Sequence, residues 1–189
     1  QLDFPIDLSI EDLEDDVLPD TLPHAAPMLR AWPEPDSVAR VIELLRGAER
    51  PVILIGGGTN YSGAGDQIMQ LAERLHCPVV NSPTSRGIAP ETHPLVLGPS
   101  GIVGYEPIGH AILESDLILA IGSRLSDIQL ARTELLSDGI KIVQVDIDPA
   151  TIGRDHIIAL GIAADARAFT ESLNSALDSA NLPVPDARC

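Results

Sequence analysis

The chain has 189 residues and a formal net charge of −16, with 44% hydrophobic residues but only 3% aromatic ones. A chain of this length forms one domain with a full core, or one domain with extended tails. The strong negative charge opposes the approach of nucleic acid and of anionic membranes, so we expect neither as a partner. We interpret the acidity as a contribution to solubility rather than as a docking surface.

The composition also bears on where the protein works. Its 2 cysteines do not make the disulfide framework that staples small secreted domains. No apolar run approaches the roughly 20 residues that cross a bilayer. The first residues carry no basic segment of the kind that opens a secretory leader. We therefore expect a cytoplasmic protein.

Both ends of the chain have the composition of linkers. Residues 1–35 are acidic and studded with prolines that interrupt any helical or strand period, which predicts an extended linker lying against a neighbour. The opening run QLDFPIDLS lacks an initiating Met and alternates as an edge strand would, so we expect it to come from a preceding domain. Residues 181–189 are predicted to lead to a following domain. The compact domain is therefore predicted over 36–180.

Within that domain, helical and strand patterns alternate. Asp36 or Ser37 can cap the first helix, and Gly47 suits a left-handed stop. The strand PVILIG then runs into the glycines 56–58, which we interpret as a turn, and a helix with an apolar face at Ile68, Leu71, Ala72 and Leu75 follows. The later elements are a strand at 78–80, a short strand at 95–97, a helix at about 107–114, a strand at 116–122, a helix near 128–136, strands at 141–148 and 156–162, and an amphipathic helix with Phe169, Leu173, Ala176 and Leu177.

This alternation predicts the fold class. Strands that are apolar throughout are typical of a parallel sheet buried on both sides, and parallel strands need crossover connections. We predict an α/β fold: a three-layer, Rossmann-like parallel sheet of about five to six strands with helices on both faces.

Ligands of an open α/β sheet bind outside the carboxyl ends of its strands, so the residue just past each strand is a site candidate. These candidates are Gly56, Gly57, Gly58, Asn81, Ser82, Gly122, Ser123, Arg124, Asp146, Asp148 and Asp165. Glycines admit a ligand to the backbone, an arginine can fork onto phosphate, and carboxylates can accept from ribose hydroxyls. Simpler interpretations stay open: a tight turn at the glycines, a surface ion pair at Arg124, a turn cap at one of Asp146 and Asp148, and a helix N-cap at Asp165.

Two kinds of site are not indicated. The run GGGTNYSGAG does not satisfy G-x-G-x-x-G, and the next strand ends in Asn81 rather than an acid, which argues against an ordinary nicotinamide site. The 5 histidines have no metal-ligand spacing and are interpreted as scattered surface residues. Ser85 and Ser123 lack a nucleophile motif. We predict no catalytic and no metal-binding residue in this chain.

Several motifs in order carry a resemblance. The runs RPVILIGGG…SGA, LAERLHCPVVNSPTSRGIAPETHPLVLG, ESDLILAIGSRLSD and KIVQVDIDPATIGRD resemble the central domain of thiamine-diphosphate enzymes, most nearly the acetolactate synthase and 2-oxo acid decarboxylase branch. The resemblance spans Arg50 to about Leu177, and LDFPIDLS is similar to the last strand of that family's first domain.

The resemblance implies a part of a larger transferase or lyase. In such enzymes the flanking pyrimidine- and diphosphate-binding domains hold thiamine diphosphate and Mg²⁺, and the first of them supplies the activating glutamate. This chain lacks the third domain's G-D-G…N-N magnesium motif. The resemblance therefore implies a central domain that provides a nucleotide cleft and a dimer scaffold within a homo-oligomer, and that is inactive in isolation.

Relatives carry FAD or ADP in this domain, or leave the cleft empty. The positions that match the family's nucleotide contacts are Gly56, Gly57, Gly58, Ser82, Gly101, Gly122, Ser123, Arg124, Asp146, Ile147 and Asp165. The chain departs from the synthase pattern at 82–85, at 101–104 and at 125–128, where the far end of a flavin would bind. We therefore expect an ADP-like ligand before intact FAD. Two alternatives remain: a self-standing nucleotide-sensing module of the same superfold, and a purely architectural domain with a vestigial cleft.

Overall fold

The protein is described by a computed structural model that covers residues 29–101, 104, 106–126 and 139–180. It contains six strands: β1 (Pro51–Ile55), β2 (Val79–Asn81), β3 (Val96–Pro99), β4 (Leu117–Ile121), β5 (Lys141–Asp146) and β6 (Leu160–Ala163). The helices are α1 (Pro35–Arg46), α2 (Gly57–Ser62), α3 (Gly65–Leu75), α4 (Glu106–Leu113) and α5 (Ala166–Ala180), with a 3-10 turn at Pro83–Ser85. The predicted helix near 128–136 lies outside the described residues.

All strand pairs of the sheet are parallel, and the strand order is β3-β2-β1-β4-β5-β6. The central strands β1 and β4 pair along their whole length, from Pro51 opposite Leu117 to Ile55 opposite Ile121. Every residue of β4 is buried, as expected for a strand covered on both faces. The predicted α/β class and strand number are confirmed.

Side-chain alternation along the strands separates two cores. Ile53, Leu119 and Val143 point to the face covered by α1, α3 and α5, together with the other members of the larger apolar cluster. Their sequence neighbours Leu54 and Ile118 point to the opposite face and belong to the smaller cluster, which includes residues of α4. Because successive strand residues face opposite ways, one apolar run supplies both cores. Helices on both sides complete the three layers.

The ends of the elements differ from the prediction. Helix α1 begins at Pro35 with Glu34 as its N-cap, because proline has the right φ and lacks the amide that the first turn leaves unbonded. The predicted caps Asp36 and Ser37 are inside the helix, and the Ser37 hydroxyl donates to the Glu34 carbonyl. Gly47 ends α1 with φ −87°, not in the left-handed region.

Two further elements were predicted with the wrong extent. The glycines 56–58 do not form a simple turn, because α2 begins at Gly57 and Gly56 is its N-cap. The last strand covers only 160–163 instead of 156–162. The residues before it form turns and a loop, since Gly153 adopts a positive φ of 68° and His156 hydrogen-bonds to another loop. Within the described ranges, no helix combines the length and apolar character needed to cross a membrane.

One polar side chain in the core leads to a prediction about stability. Asn81 is fully buried at the end of β2, and neither its amide nitrogen nor its amide oxygen has a hydrogen-bond partner within the described part of the chain. An unsatisfied buried polar group costs about 1–3 kcal/mol, whereas leucine has nearly the same shape and no such need. We expect Asn81→Leu to raise the free energy of unfolding in urea by about 1 kcal/mol.

The control for this prediction is Asn81→Asp, which places a charge at the same buried position and is expected to lower the free energy of unfolding. A loss of stability in Asn81→Leu would contradict the prediction. It would mean that the amide is satisfied in solution, for example by a buried water molecule.

Candidate functional site

The strand order places a crevice between β1 and β4. Chain connections leave these two neighbouring strands in opposite directions, toward β2 and toward β5, so the loops at their carboxyl ends separate. Two clefts open at this edge of the sheet. The main cleft has a volume of about 600 Å³ and is lined by Gly56, Gly57, Gly58, Asn60, Tyr61, Ser82, Pro83, Thr84, Gly122, Ser123, Arg124, Ser126, Asp146, Asp148, Thr151 and Arg154.

The glycines at the end of β1 are packed against the end of β4. The Gly56 amide donates to the Ile121 carbonyl (3.0 Å) and the Gly58 amide to the Gly122 carbonyl (2.9 Å). A Cβ at Gly56 would lie 2.3 Å from the Gly122 oxygen, and one at Gly58 would lie 2.8 Å from the Gly122 Cα. Close backbone packing therefore accounts for two of the three glycines.

Gly57 differs from its neighbours. It is the first residue of α2, and its amide has no acceptor among the described residues. A Cβ at Gly57 would meet the Thr84 side chain, with the hydroxyl oxygen 3.1 Å away, rather than the backbone of β4. The amide hydrogens at the start of a helix attract anions, although α2 has only 6 residues. Of the three glycines, Gly57 is the one with a backbone donor left for a ligand.

Hydroxyl groups also line the main cleft, and that of Thr84 lies next to Gly57. The Ser82 hydroxyl lies 2.9 Å from that of Thr84 and 3.0 Å from that of Ser85. Ser85 is buried, and its hydroxyl accepts from the Ser82 amide and donates to the Ile55 carbonyl. Ser85 thus serves the capping of the 3-10 turn. Ser82 and Thr84 are the hydroxyls that line the cleft.

Two arginines supply positive charge to the main cleft. Arg124 is exposed and forms no ion pair with the residues that the structure describes. Arg154 instead pairs with Asp155, with Nη2 2.8 Å from Oδ2 and Nε 3.1 Å from Oδ1. The hydrogen bond from Arg154 lowers the pKa of the Asp155 carboxyl, and the same bond raises the pKa of Arg154. Guanidinium groups of this kind suit an anionic ligand.

The aspartates after β5 shape the backbone turn. Asp146 Oδ1 accepts from the Asp148 amide, and Asp148 Oδ1 accepts from the Ala150 amide, both at 2.9 Å. The sequence left open that one of these residues caps the turn, and the structure shows such a bond for both. This capping does not exclude a second use, because these bonds occupy one carboxylate oxygen of each residue.

A smaller cleft of about 450 Å³ adjoins the first. It is lined by Leu29, Arg30, Ala31, Gly58, Tyr61, Ser62, Gly122, Asp146, Ile147, Asp165 and Ala166. Asp165 caps α5 by accepting from the Ala168 amide (3.0 Å), and it also pairs with Arg30 (2.8 Å). Four residues line both clefts: Gly58, Tyr61, Gly122 and Asp146.

The structure thus brings most of the predicted site residues together. Ile147 and Asp165 line the smaller cleft, and the others except Gly101 line the main one. Gly101 follows β3 with a φ of 87° and lines neither of these clefts. The buried Asn81 lines neither of them either, although it directly precedes Ser82.

Sequence reasoning missed several residues of the site. Thr84 and Arg154 line the main cleft although neither directly follows a strand. His156 was predicted to be a scattered surface histidine, and this is wrong: it is half-buried, and its Nε2 lies 2.9 Å from the Leu125 carbonyl oxygen. The pattern GRDH after β5 contains no signal that places these side chains beside the loop after β4.

The strand order and the position of the clefts define a Rossmann-like α/β domain. Residues 38–173 match the family model described as "Thiamine pyrophosphate enzyme, central domain". The chain belongs to this family, which confirms the resemblance found in the sequence. The family name also implies thiamine diphosphate as the cofactor of the enzymes to which such domains belong.

The chain is similar to proteins much longer than itself. It is 33% identical over 181 residues to a probable acetolactate synthase large subunit of Methanococcus aeolicus, covering 94% of this chain and 30% of that protein. It is 33% identical over 168 residues to glyoxylate carboligase of Escherichia coli O157:H7, covering 88% of this chain and 28% of that protein. The chain therefore spans less than a third of the length of these relatives.

A solved structure supports the fold. The benzoylformate decarboxylase structure from Polynucleobacter necessarius superposes with a TM-score of 0.68 over 90% of this chain and 31% of that chain, at 22% sequence identity. At this identity the likeness establishes the arrangement of strands and helices, and it does not extend to the ligands or the reaction.

Proposed function

We propose that this domain is the central part of a thiamine-diphosphate-dependent carboligase or decarboxylase of 2-oxo acids, and that its paired clefts take an ADP-type nucleotide. The observation that carries the proposal is that a cleft bordered by exposed apolar side chains adjoins a cleft with two arginines at the β1–β4 crevice. In such an enzyme, thiamine diphosphate and Mg²⁺ are held by the flanking pyrimidine- and diphosphate-binding domains. This domain alone is inactive and contributes the nucleotide cleft and a scaffold for a homo-oligomer.

The smaller cleft suits the adenine base. Leu29, Tyr61 and Ile147 border it and are all exposed, so a flat apolar group has surface to cover there. Ligand pockets combine such apolar lining with a few polar groups that fix orientation. Asp146 lies at the junction with the main cleft, where a carboxylate oxygen can accept from ribose hydroxyls.

The main cleft suits the diphosphate. Arg124 has no competing ion pair among the described residues, and the Gly57 amide and the hydroxyls of Ser82 and Thr84 add neutral donors. Hydrogen bonds from a guanidinium to phosphate oxygens are stronger than neutral ones and can be bidentate. The same cleft also contains Asp146 and Asp148, so binding depends on the arginines to offset their charge.

FAD is the less favoured form of the ligand. An FAD molecule would place the same ADP moiety in the two clefts and would supply a redox-active or structural flavin beyond them. The chain differs from acetolactate synthases at 82–85, 101–104 and 125–128, where the resemblance places the far end of a flavin. We therefore propose ADP itself, or another nucleotide with that moiety, before intact FAD.

The test is a binding panel on the purified chain with ADP, FAD, coenzyme A and NAD, read by thermal shift and isothermal titration. A ligand at 100 times its dissociation constant stabilises the fold by about 2.7 kcal/mol. We expect ADP to bind and Arg124→Ala to weaken it by about tenfold or more, because a hydrogen bond to a charged group contributes roughly 1.5–3 kcal/mol.

The matched control is Arg40→Ala. Arg40 is exposed on α1, has no ion pair within the described residues and lines neither cleft, so this variant changes the net charge equally. Equal effects of both variants would contradict a role of Arg124 in the site. Turnover of pyruvate by the chain with added thiamine diphosphate and Mg²⁺ would contradict the proposed inactivity.

A vestigial cleft is the second candidate function. Backbone packing explains why glycine is needed at positions 56 and 58 without any bound nucleotide. Capping of α5 likewise explains Asp165, whose carboxylate oxygen accepts from the Ala168 amide. These residues would then be kept for structure in a purely architectural domain. Failure of every nucleotide in the panel to bind would favour this candidate over both the ADP site and a self-standing nucleotide sensor.

A further inference from the structure

A buried glutamine joins the loops that follow β4 and β5. Gln144 lies in the middle of β5 and is 2% exposed. Its side-chain nitrogen donates to the Ser123 carbonyl (3.1 Å) and to the Thr151 carbonyl (3.4 Å), and its oxygen accepts from the Gly153 amide (2.8 Å). A buried polar side chain with all these bonds satisfied fixes its partners relative to one another.

A second connection joins the same loops. Leu125 is a buried residue with φ 53°, a conformation that residues other than Gly, Asn and Asp rarely adopt. Its amide donates to the Ser123 hydroxyl (3.1 Å), and its carbonyl accepts from Nε2 of His156 (2.9 Å). Strained residues of this kind persist only where the surroundings hold them.

These connections flank the two arginines of the main cleft. Arg124 stands between Ser123 and Leu125, which are bonded to Gln144 and His156, respectively. Arg154 stands between Gly153 and the Asp155–His156 pair, on the other loop. Each arginine is thus bracketed by residues that are tied across to the opposite loop.

We propose that Gln144 and His156 are positioning residues that hold the two loops as one unit, so that Arg124 and Arg154 act together on a diphosphate. This inference rests on the proposed function, since it names how the same cleft recognises its ligand. It adds a requirement for two linked phosphoryl groups, because a single phosphate can engage one arginine without the other. Asp155 holds Arg154 at the rim and is displaced from it when the diphosphate binds.

The experiment compares ADP, AMP and adenosine by isothermal titration on the full 189-residue chain. We expect His156→Ala to lower the affinity for ADP by about tenfold and the affinity for AMP by a smaller factor. The affinity for adenosine should fall by less than about twofold, because only the charged hydrogen bonds to phosphate depend on the placement of the arginines. His156→Gln keeps a side-chain N–H donor and is expected to restore most of the ADP affinity. Gln144→Met, of similar volume, should behave as His156→Ala does.

Two comparisons separate positioning from a general loss of structure. The effects of His156→Ala and Arg124→Ala on ADP binding should be non-additive, as for residues that act on one interaction. His93→Ala is the matched control, since His93 is bonded to Glu73 at 3.1 Å and lines neither cleft. Equal losses for ADP and adenosine in His156→Ala, additive effects, or no effect would overturn the inference.

Inorganic pyrophosphate keeps this inference distinct from the nucleotide proposal. If wild type binds pyrophosphate but no nucleotide, and His156→Ala weakens pyrophosphate binding, the inference about the positioned arginines is supported and the proposed nucleotide function is wrong. If wild type binds ADP but His156→Ala leaves it unchanged, the proposed function stands and the inference fails. If wild type binds neither ADP nor pyrophosphate, both are wrong.

Discussion

Gly56→Ala is expected to lower the free energy of unfolding by about 3 kcal/mol or more, since overpacking adds to the loss of backbone hydrogen bonds. The new Cβ would lie 2.3 Å from the Gly122 oxygen and 2.5 Å from the Ser123 Cα, both of them backbone atoms. The two segments cannot separate freely, because the Gly56 amide is bonded to Ile121 and the Gly58 amide to Gly122. A domain with a total stability of about 5–15 kcal/mol loses a large share of it.

Urea unfolding followed by circular dichroism measures this effect, with two glycine controls. In Gly57→Ala the nearest contact of the new Cβ is the Thr84 hydroxyl oxygen at 3.1 Å, and in Gly47→Ala the new Cβ meets ordinary contacts at 3.8 and 3.9 Å. We expect each control to change the free energy of unfolding by about 1 kcal/mol or less, since alanine is the better helix former. A Gly56→Ala protein as stable as Gly47→Ala would show that β1 and β4 do not meet as closely as described.

The second large effect is expected from Phe169→Ala, which should lower the free energy of unfolding by about 4 kcal/mol. Phe169 is a fully buried residue of α5, in the larger core between the sheet and α1, α3 and α5. The chain has only 2 phenylalanines, and its core is otherwise built from smaller aliphatic side chains. Removal of the ring therefore leaves a cavity that the neighbouring helices can fill only in part.

Phe169→Leu is the matched control, because it keeps most of the apolar volume and is expected to cost roughly 1.5 kcal/mol. Both variants leave the residues of the clefts in place, so they should change ADP affinity little at temperatures where they are folded. Similar urea midpoints for Phe169→Ala and wild type would mean that α5 does not close this core in solution.

Much of the fold was predictable because it follows from local patterns. The apolar runs 51–55 and 117–121 are too short for helices and have no polar face, so burial between two layers was the consistent interpretation. The amphipathic patterns of α3 and α5 likewise predicted which face meets the sheet. The first and last residues of α1 were less predictable, because Pro35 is compatible with more than one start of the helix and Gly47 with more than one kind of C-terminal cap.

The candidate site was predictable only where it follows directly from the strands. In a parallel sheet the residues after every strand meet at one edge, which is why Gly57, Arg124 and Asp146 could be placed together from the sequence. Thr84 and Arg154 enter the same cleft from within loops, whose paths depend on their packing.

The sequence by itself determined the parallel α/β architecture, the family and the edge of the sheet where a ligand would bind, since periodicity and strand ends are local properties of the chain. Only the tertiary structure decided what the individual residues do there. It showed that Gly56 and Gly58 serve backbone contact with Gly122, and that His156 and Gln144 connect two loops. These contacts join residues that are far apart in sequence, and their geometry depends on how the strands are ordered in the sheet.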